Sequence, residues 1–371
     1  MKQSLHLHRT LHDFTQSWLN GADFSLRGIL GQKRDYLKEH ILALNISGLN
    51  TSLNGGQLLP LAYRKVLDAL KKCPKKRIEI LASDLLRTSL DESKHAIAFL
   101  RPLFELRDYV QKHFTRKEIF GFFVHGSLST MDYIENYSDF DTLVIIRKEV
   151  INDPEWLIDF GRRLAKSNTF LYLLDPLQHH PHFVITEYDM EAYAEPFFPL
   201  ELFKYTTELS DIGDSIIFHV RDASVELEYV FRFWMKYFHN PNKCGYRNKS
   251  LFSVKQFIQS IALLPAIYLQ LKTKWYTYKK YTHDLAKLDF STETWNIVEK
   301  TSMVRQLCPF KSYYPYWLRK IIGLYGHPKL LAYLHRKIDR NNTQQILNIL
   351  GPDMLKDALE LIKEMQERLG L

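Results

Sequence analysis

Cysteine is scarce in this chain. Its 371 residues contain three, Cys73, Cys244 and Cys308, far apart and without a CxxC pair. An odd, sparse set supplies neither a disulfide framework nor a thiolate zinc centre, and it fits reduced thiols in a cytoplasm. Long apolar runs are also missing. The N-terminus, Met1-Lys2-Gln3-Ser4-Leu5-His6, lacks the apolar core of a signal peptide. The most apolar stretch, Phe257 to Leu271, is interrupted by Gln259, Ser260, Pro265 and Gln270. It reads as too short and too broken to span a bilayer, so no membrane partner is expected. Internal repeats and low-complexity segments are absent as well, which excludes solenoid and linker-type chains.

What is present is the composition of a folded protein. Hydrophobic residues make up 46% and charged residues 25%, enough to bury a core over two or three domains. The formal charge of +8, from 50 basic and 42 acidic residues, suits a protein that handles polyphosphate. Such charge supplies attraction and not specificity, so it does not by itself name nucleic acid as a partner.

Residues 1–115 read as helical, with a loop at Asn45 to Gly56 and helix-like spacing over Leu58 to Leu70 and Asp91 to Phe114. The pattern changes at Ile119. Ile119 to Val124 is a short apolar and aromatic run that reads as a buried strand feeding a turn at Gly126-Ser127. Leu128 to Ser138 is polar, and Phe140 to Ile146 reads as a second strand. Asp153-Pro154-Glu155 is a helix start, with Asp as the N-cap and Pro at the first position. Phe170 to Leu174 and Phe183 to Thr186 read as two further strands flanking Asp175 to His180. From about residue 195 the chain reads as helical again. Leu227, Val230, Phe231, Trp234 and Phe238 form one apolar stripe, and similar patterns run over Ser253 to Leu271 and Leu355 to Leu369.

Chemistry concentrates in the middle segment. Asp139 and Asp141 lie two apart, which on a strand puts both carboxylates on one face. Two acids at the start of an apolar strand are costly unless neutralised, and a divalent cation does this well. Mg²⁺ prefers a few carboxylates plus substrate phosphate oxygens, and two such ions can clamp an in-line phosphoryl displacement. Gly126 lets the backbone approach a phosphate closely, and the Ser127 hydroxyl can donate to it.

Val124-His125-Gly126-Ser127 followed by Ser138-Asp139-Phe140-Asp141-Thr142-Leu143 resembles the signature of the DNA polymerase β-like nucleotidyltransferase superfamily. The resemblance covers roughly residues 115–190. It implies transfer of a nucleoside monophosphate from a nucleoside triphosphate, ATP first among them, to a hydroxyl acceptor, with Mg²⁺ (or Mn²⁺) and release of pyrophosphate. Gly126 and Ser127 would hold the triphosphate, and Asp139 and Asp141 the metals. The expected class is α+β: a nucleotidyltransferase core at 116–194, a helical region at 1–115 and a helical bundle at 195–371 that shapes the acceptor pocket. The acceptor, whether small molecule, protein or RNA end, is not encoded in the motifs.

The superfamily usually adds a third acid, often the base toward the acceptor hydroxyl. Asp175 is the first choice for it, with His182 and Glu187 as further options. His180 and His182 would share a face of the strand that follows. Without a nearby cysteine, His179, His180 and His182 read as a polar strand edge beside the site and not as a zinc centre. Tyr278, Lys279, Lys280 and Tyr281, and Tyr246 to Lys249, are basic and aromatic segments that read as solvated helix ends, with contact to a triphosphate or an acceptor as the alternative. Two other functions compete with the enzyme: a degenerate nucleotidyltransferase fold acting as an antitoxin-like binding module, and an RNA-modifying protein.

Overall fold

The computed structural model describes residues 2–21, 55–86, 94–240, 250–307, 314–325, 330 and 341–371. The α+β class is the one the chain adopts. In chain order come helix α1 (Lys2–Leu19), helix α2 (Gly55–Leu70), strand β1 (Lys75–Ile80), helix α3 (Lys94–His113), strands β2 (Ile119–Val124) and β3 (Thr142–Ile146), and helices α4 (Lys148–Asn152) and α5 (Pro154–Leu174). Strand β4 (Phe183–Thr186), helix α6 (Glu187–Met190), strands β5 (Thr207–Glu208) and β6 (Ile216–Arg221), and helices α7 (Ser224–Phe238), α8 (Leu251–Thr273), α9 (Lys279–Lys287) and α10 (Thr292–Leu307) follow. Helices α11 (Tyr316–Tyr325), α12 (Asn341–Leu350) and α13 (Met354–Leu369) complete the described elements.

The central sheet is mixed, in the order β4-β3-β2-β5. Strands β2 and β3 pair antiparallel with Val124 opposite Thr142, while β3 and β4 run parallel with Leu143 opposite Phe183. Every residue of β3 is buried. A strand covered on both faces needs no polar alternation, which is why Thr142 to Ile146 is continuously apolar or β-branched. Its side chains divide by the period-two pleat. Phe122, Val124, Val144 and Ile146 join one core with Leu11 and Phe14 of α1, Tyr63 and Val66 of α2, and Leu103 and Leu106 of α3. Phe123, Leu143, Ile145 and Ile185 join another with Phe197, Phe203 and Phe218. The C-terminal helices have their own core, which reaches the sheet edge through Tyr137 and Leu177.

A buried polar clasp fastens α1 to the end of β4. The Asp189 carboxylate takes His8 Nε2 at 3.1 Å and His12 Nδ1 at 3.4 Å, and accepts the Thr186 backbone N–H. Burial opposes the charge of Asp189, but His12 and His8 outweigh it and hold the acid well below the usual carboxylate range.

Several expectations hold: β2 and β4 have the expected limits, and Asp153 caps α5 by accepting the N–H groups of Glu155 and Trp156 at 3.0 Å. Of the apolar stripe of α7, Val230, Phe231, Trp234 and Phe238 pack on the C-terminal core, while Leu227 lines a cavity. Others do not. Phe170 to Leu174 is the last turn of α5 and not a strand. The helix is buried all round from Ser167 onward, so the 3.6-residue alternation that marks a surface helix is erased. Its hydroxyls are satisfied within the fold, Ser167 by Leu164 O and Thr169 by Gly323 O. The flanks are also not purely helical: β1 and β6 form an antiparallel ribbon, Ile78 opposite Phe218, joining the two flanking regions. The expected loop from Asn45 lies outside the described residues except Gly55 and Gly56, which open α2.

Helix α8 runs 23 residues through Pro265. It is the described helix long and apolar enough to cross a bilayer, but 72% of its apolar window is buried inside the fold. It is a core helix, and it carries two polar residues of the site.

Candidate active site

The site is built where β2 and β3 run out together. The His125 N–H donates to the Asp141 carbonyl at 3.0 Å, extending the ladder one pair past Val124 and Thr142. The chain then turns at Gly126–Leu128, with the N–H groups of Ser129 and Thr130 both donating to Gly126 O. Gly126 has φ +68°, and a Cβ there would sit 2.8 Å from Asp141 Oδ2. Both the left-handed backbone and the close carboxylate require glycine at this position. The turn is anchored to β5 by Ser129 Oγ against Thr207 Oγ1 at 2.8 Å. The Ser127 side chain lines the cavity and has no hydrogen-bond partner among the described residues.

Asp139, Phe140 and Asp141 lie just ahead of β3 and not within it. Phe140 is buried in the core, and the two carboxylates point the other way, into the cavity, as period two requires. Gln178 grips Phe140 from the loop after α5, accepting its N–H at 3.0 Å and donating to its carbonyl at 3.2 Å. That grip brings His179 and His180 against the acids. His180 Nε2 lies 2.8 Å from Asp141 Oδ1, and His179 Nδ1 lies 3.7 Å from Asp139 Oδ2.

Electrostatically the acids are already compensated. The Lys255 ammonium on α8 is fully buried, 2.8 Å from Asp139 Oδ1 and 2.7 Å from Asp175 Oδ2. Gln259, one turn on, donates to Asp139 Oδ2. Burial opposes the charge of Asp139, but Lys255 outweighs it and holds that acid well below the usual range. One ammonium serves two carboxylates, so burial and the Asp139 charge push Asp175 up to about 8 against the pull of Lys255. Burial also disfavours charge on His180 and Asp141, yet their contact lifts His180 to about 9 and lowers Asp141. Burial alone dominates at His179 and His125, bringing each down to about 4.

The three expected positions for the third acid separate. Asp175 is close by but buried, capping α5 and held by Lys255 and by the Leu177 N–H. His182 is in the core: its Nδ1 bonds Thr142 Oγ1 at 2.6 Å and its Nε2 bonds Ser167 Oγ at 2.8 Å, leaving no nitrogen for a ligand. The expectation that it shares a strand face with His180 fails because β4 begins only at Phe183, so both histidines lie ahead of the strand. Glu187 lies past the opposite end of β4 and pairs with Lys148. Thr186 just before it pairs with Ile146, five residues along from Asp141, so Glu187 lies roughly 17 Å from that acid at about 3.3 Å per residue.

A cavity of about 800 Å³ opens between this edge and the C-terminal helices. Lys279 and Arg305 line its far wall. Lys279 has no ion pair among the described residues, and burial together with Arg305 brings its amine down to about 8. Arg305 Nε is buried without a hydrogen-bond acceptor among the described residues. Apolar residues of α7 and α8, Leu227, Val230, Leu263 and Ile267, extend the cavity away from the acids. The other basic segment, Tyr246 to Lys249, lies outside the described residues.

Sequence reasoning missed Lys255, and the signal was there: a lone lysine among Leu251, Val254 and Ile258 on an apolar helix face implies a buried acid partner. No protein-family model, curated protein or solved structure matches the chain.

Proposed function

We propose that the chain transfers a nucleoside monophosphate from a nucleoside triphosphate, ATP foremost, to an acceptor hydroxyl, releasing pyrophosphate. One observation carries the reading: the Gly126-Ser127 turn and the Asp139/Asp141 pair meet, with the Gly126 Cβ position 2.8 Å from an Asp141 oxygen, so both border one cavity. Phosphate donors and carboxylates are then arranged around a single volume, as phosphoryl transfer needs. Ser127 receives the triphosphate from one side, and Lys279 and Arg305 neutralise it from the other. Lys255 and Gln259 fix the Asp139 carboxylate, and His180 fixes Asp141.

The donor set fits one divalent cation, bound beside Asp139 with Asp141, His179 and His180 around it. Bound there, it would polarise the phosphoryl oxygens and neutralise charge that develops on them. A pair of ions does not fit, because Lys255 already sits between Asp139 and Asp175. The acceptor enters along α8, where the wall is apolar, and is a small molecule, a protein side chain or an RNA end.

Incubation with α-labelled NTPs, divalent metal and a panel of acceptors tests the reading. Label on an acceptor, lost in Asp139→Ala and Asp141→Ala, supports it. Nucleotide binding without transfer across the panel, or full activity in either variant, overturns it. The compensation of both acids by Lys255 and His180 favours a second reading, a nucleotide-binding regulatory module. Calorimetry separates the two: NTP binding that ignores metal and survives loss of both acids selects the module.

A further inference from the structure

We propose that Asp139, His179 and His180 form a site for one transition-metal cation, with affinity rising from Mn²⁺ through Co²⁺ to Zn²⁺ and weakest for Mg²⁺. This deepens the functional reading by naming the ion class at the same site.

The first ground is spacing. One ligand atom from each of the three residues lies within 4.8 Å of the other two. Ligands about 2.0–2.2 Å from a shared ion stand about 3–4 Å apart, so small side-chain rotations close this shell. His179 Nδ1 and Asp139 Oδ2 are already at 3.7 Å.

The second ground is the orientation of His180. Its Nδ1 is 3.0 Å from the Pro181 carbonyl, which has no proton, so Nδ1–H donates there. A ring nitrogen bonded to a backbone carbonyl is the usual means of aiming the opposite nitrogen at a metal. Here that opposite nitrogen, Nε2, faces Asp141 Oδ1 at 2.8 Å. There Nε2–H donates to the carboxylate, and a bound ion would take the place of that proton on the same nitrogen. Asp139 is similarly held by Lys255 and Gln259 on the carboxylate that faces the imidazoles.

The third ground is donor chemistry. Mg²⁺ takes oxygen ligands in strict octahedral geometry and keeps its waters. Two imidazoles and one carboxylate, the latter shared with an ammonium, form a nitrogen-rich set that later first-row ions prefer. Lys255 bridges Asp139 and Asp175 at 2.8 and 2.7 Å, so a fixed positive charge stands where a second cation would need to be. The count is therefore one. The cavity in front of the imidazoles leaves coordination positions open to a ligand, as in catalytic sites and unlike closed structural ones.

The test is metal binding to the full chain without nucleotide. Titration with Co²⁺, followed by visible absorption, and competition with Zn²⁺, Mn²⁺ and Mg²⁺ give stoichiometry and order. The expected result is one ion per chain, Zn²⁺ at least about 100-fold tighter than Mg²⁺, and a loss of about 10–100-fold in His179→Gln and in His180→Gln. His239→Gln, at an exposed helix end, leaves binding unchanged. X-ray absorption at the zinc edge of the unaltered chain checks the ligands without any variant, and two imidazoles are expected. Mg²⁺ binding as tightly as Zn²⁺, two ions per chain, unchanged affinity in both histidine variants, or a shell with sulfur or without imidazole overturns the proposal. A chain that binds the ion here yet transfers nothing would sink the transferase reading and leave this one standing.

Discussion

Lys255→Met deletes the cation that Asp139 and Asp175 share. Methionine keeps most of the volume, so the change is electrostatic more than steric. The ammonium is fully buried against both acids, 2.8 Å from one and 2.7 Å from the other. Removing one partner of a buried ion pair costs about 3–5 kcal/mol, because the charge left behind is desolvated. Here two carboxylates remain, facing each other, and they respond by binding protons. Asp175, already lifted to about 8, stays protonated near neutrality. Asp139, which Lys255 held low, rises above the ordinary carboxylate value. A group whose folded pKa is raised contributes stability below its unfolded value, and that contribution is lost as pH rises through the folded value. The penalty should therefore be near its full size at pH 8 and shrink toward pH 5. It changes by about 1.4 kcal/mol for each pH unit over which the folded variant holds one proton more than the folded parent does. Urea unfolding of both proteins at pH 5, 6, 7 and 8 measures this directly. Adding Asp175→Asn should recover part of the loss at pH 8. An equal penalty at pH 5 and pH 8, or a penalty below about 1 kcal/mol, would refute the reasoning.

Gly126→Ala should cost about 1–2 kcal/mol for the left-handed backbone and, by pushing on Asp141, lower transfer at least about 100-fold; urea midpoints and initial rates separate the two effects. Lys279→Met should raise stability by about 1 kcal/mol at pH 7, because a buried cation without a counter-charge is removed, while weakening triphosphate affinity about 10-fold by calorimetry. The gain should fade above pH 8, as the native amine loses its proton. Asp189→Asn should lower stability by about 2–3 kcal/mol. The acid is held below its unfolded pKa, so the gap should be constant from pH 8 to pH 5 and close only as pH falls below about 4.

Local signals carried the parts of this fold that local forces make. The limits of β2 and β4 and the Asp153 cap are written in short runs of residues, and so are Gly126 and the Asp139/Asp141 pair. The end of α5 misread as a strand because burial on every side removes periodicity, leaving only an apolar run that either element accepts. The β1–β6 ribbon was hidden for a different reason. Lys75 to Ile80 is mostly charged and half exposed, and only pairing with residues far along the chain makes it a strand. The surroundings of Asp175 were hidden in the same way. Nothing near Asp175 says that a lysine 80 residues later will hold it, nor that Gln178 bonds Phe140 and so sets His179 and His180 against the two acids. Motifs report what a site contains, while the company its side chains keep is settled by packing.

The 80-residue separation also sets an order of events during synthesis. Asp139, Asp175 and the two histidines leave the ribosome well before Lys255. At about 5–20 residues per second the interval is roughly 4–16 s. During that time the sheet can form with its acids hydrated and its cavity wall absent. Only when α8 arrives do the carboxylates gain their counter-charge and lose their water, so a half-made chain holds the motif residues without the charge that compensates them.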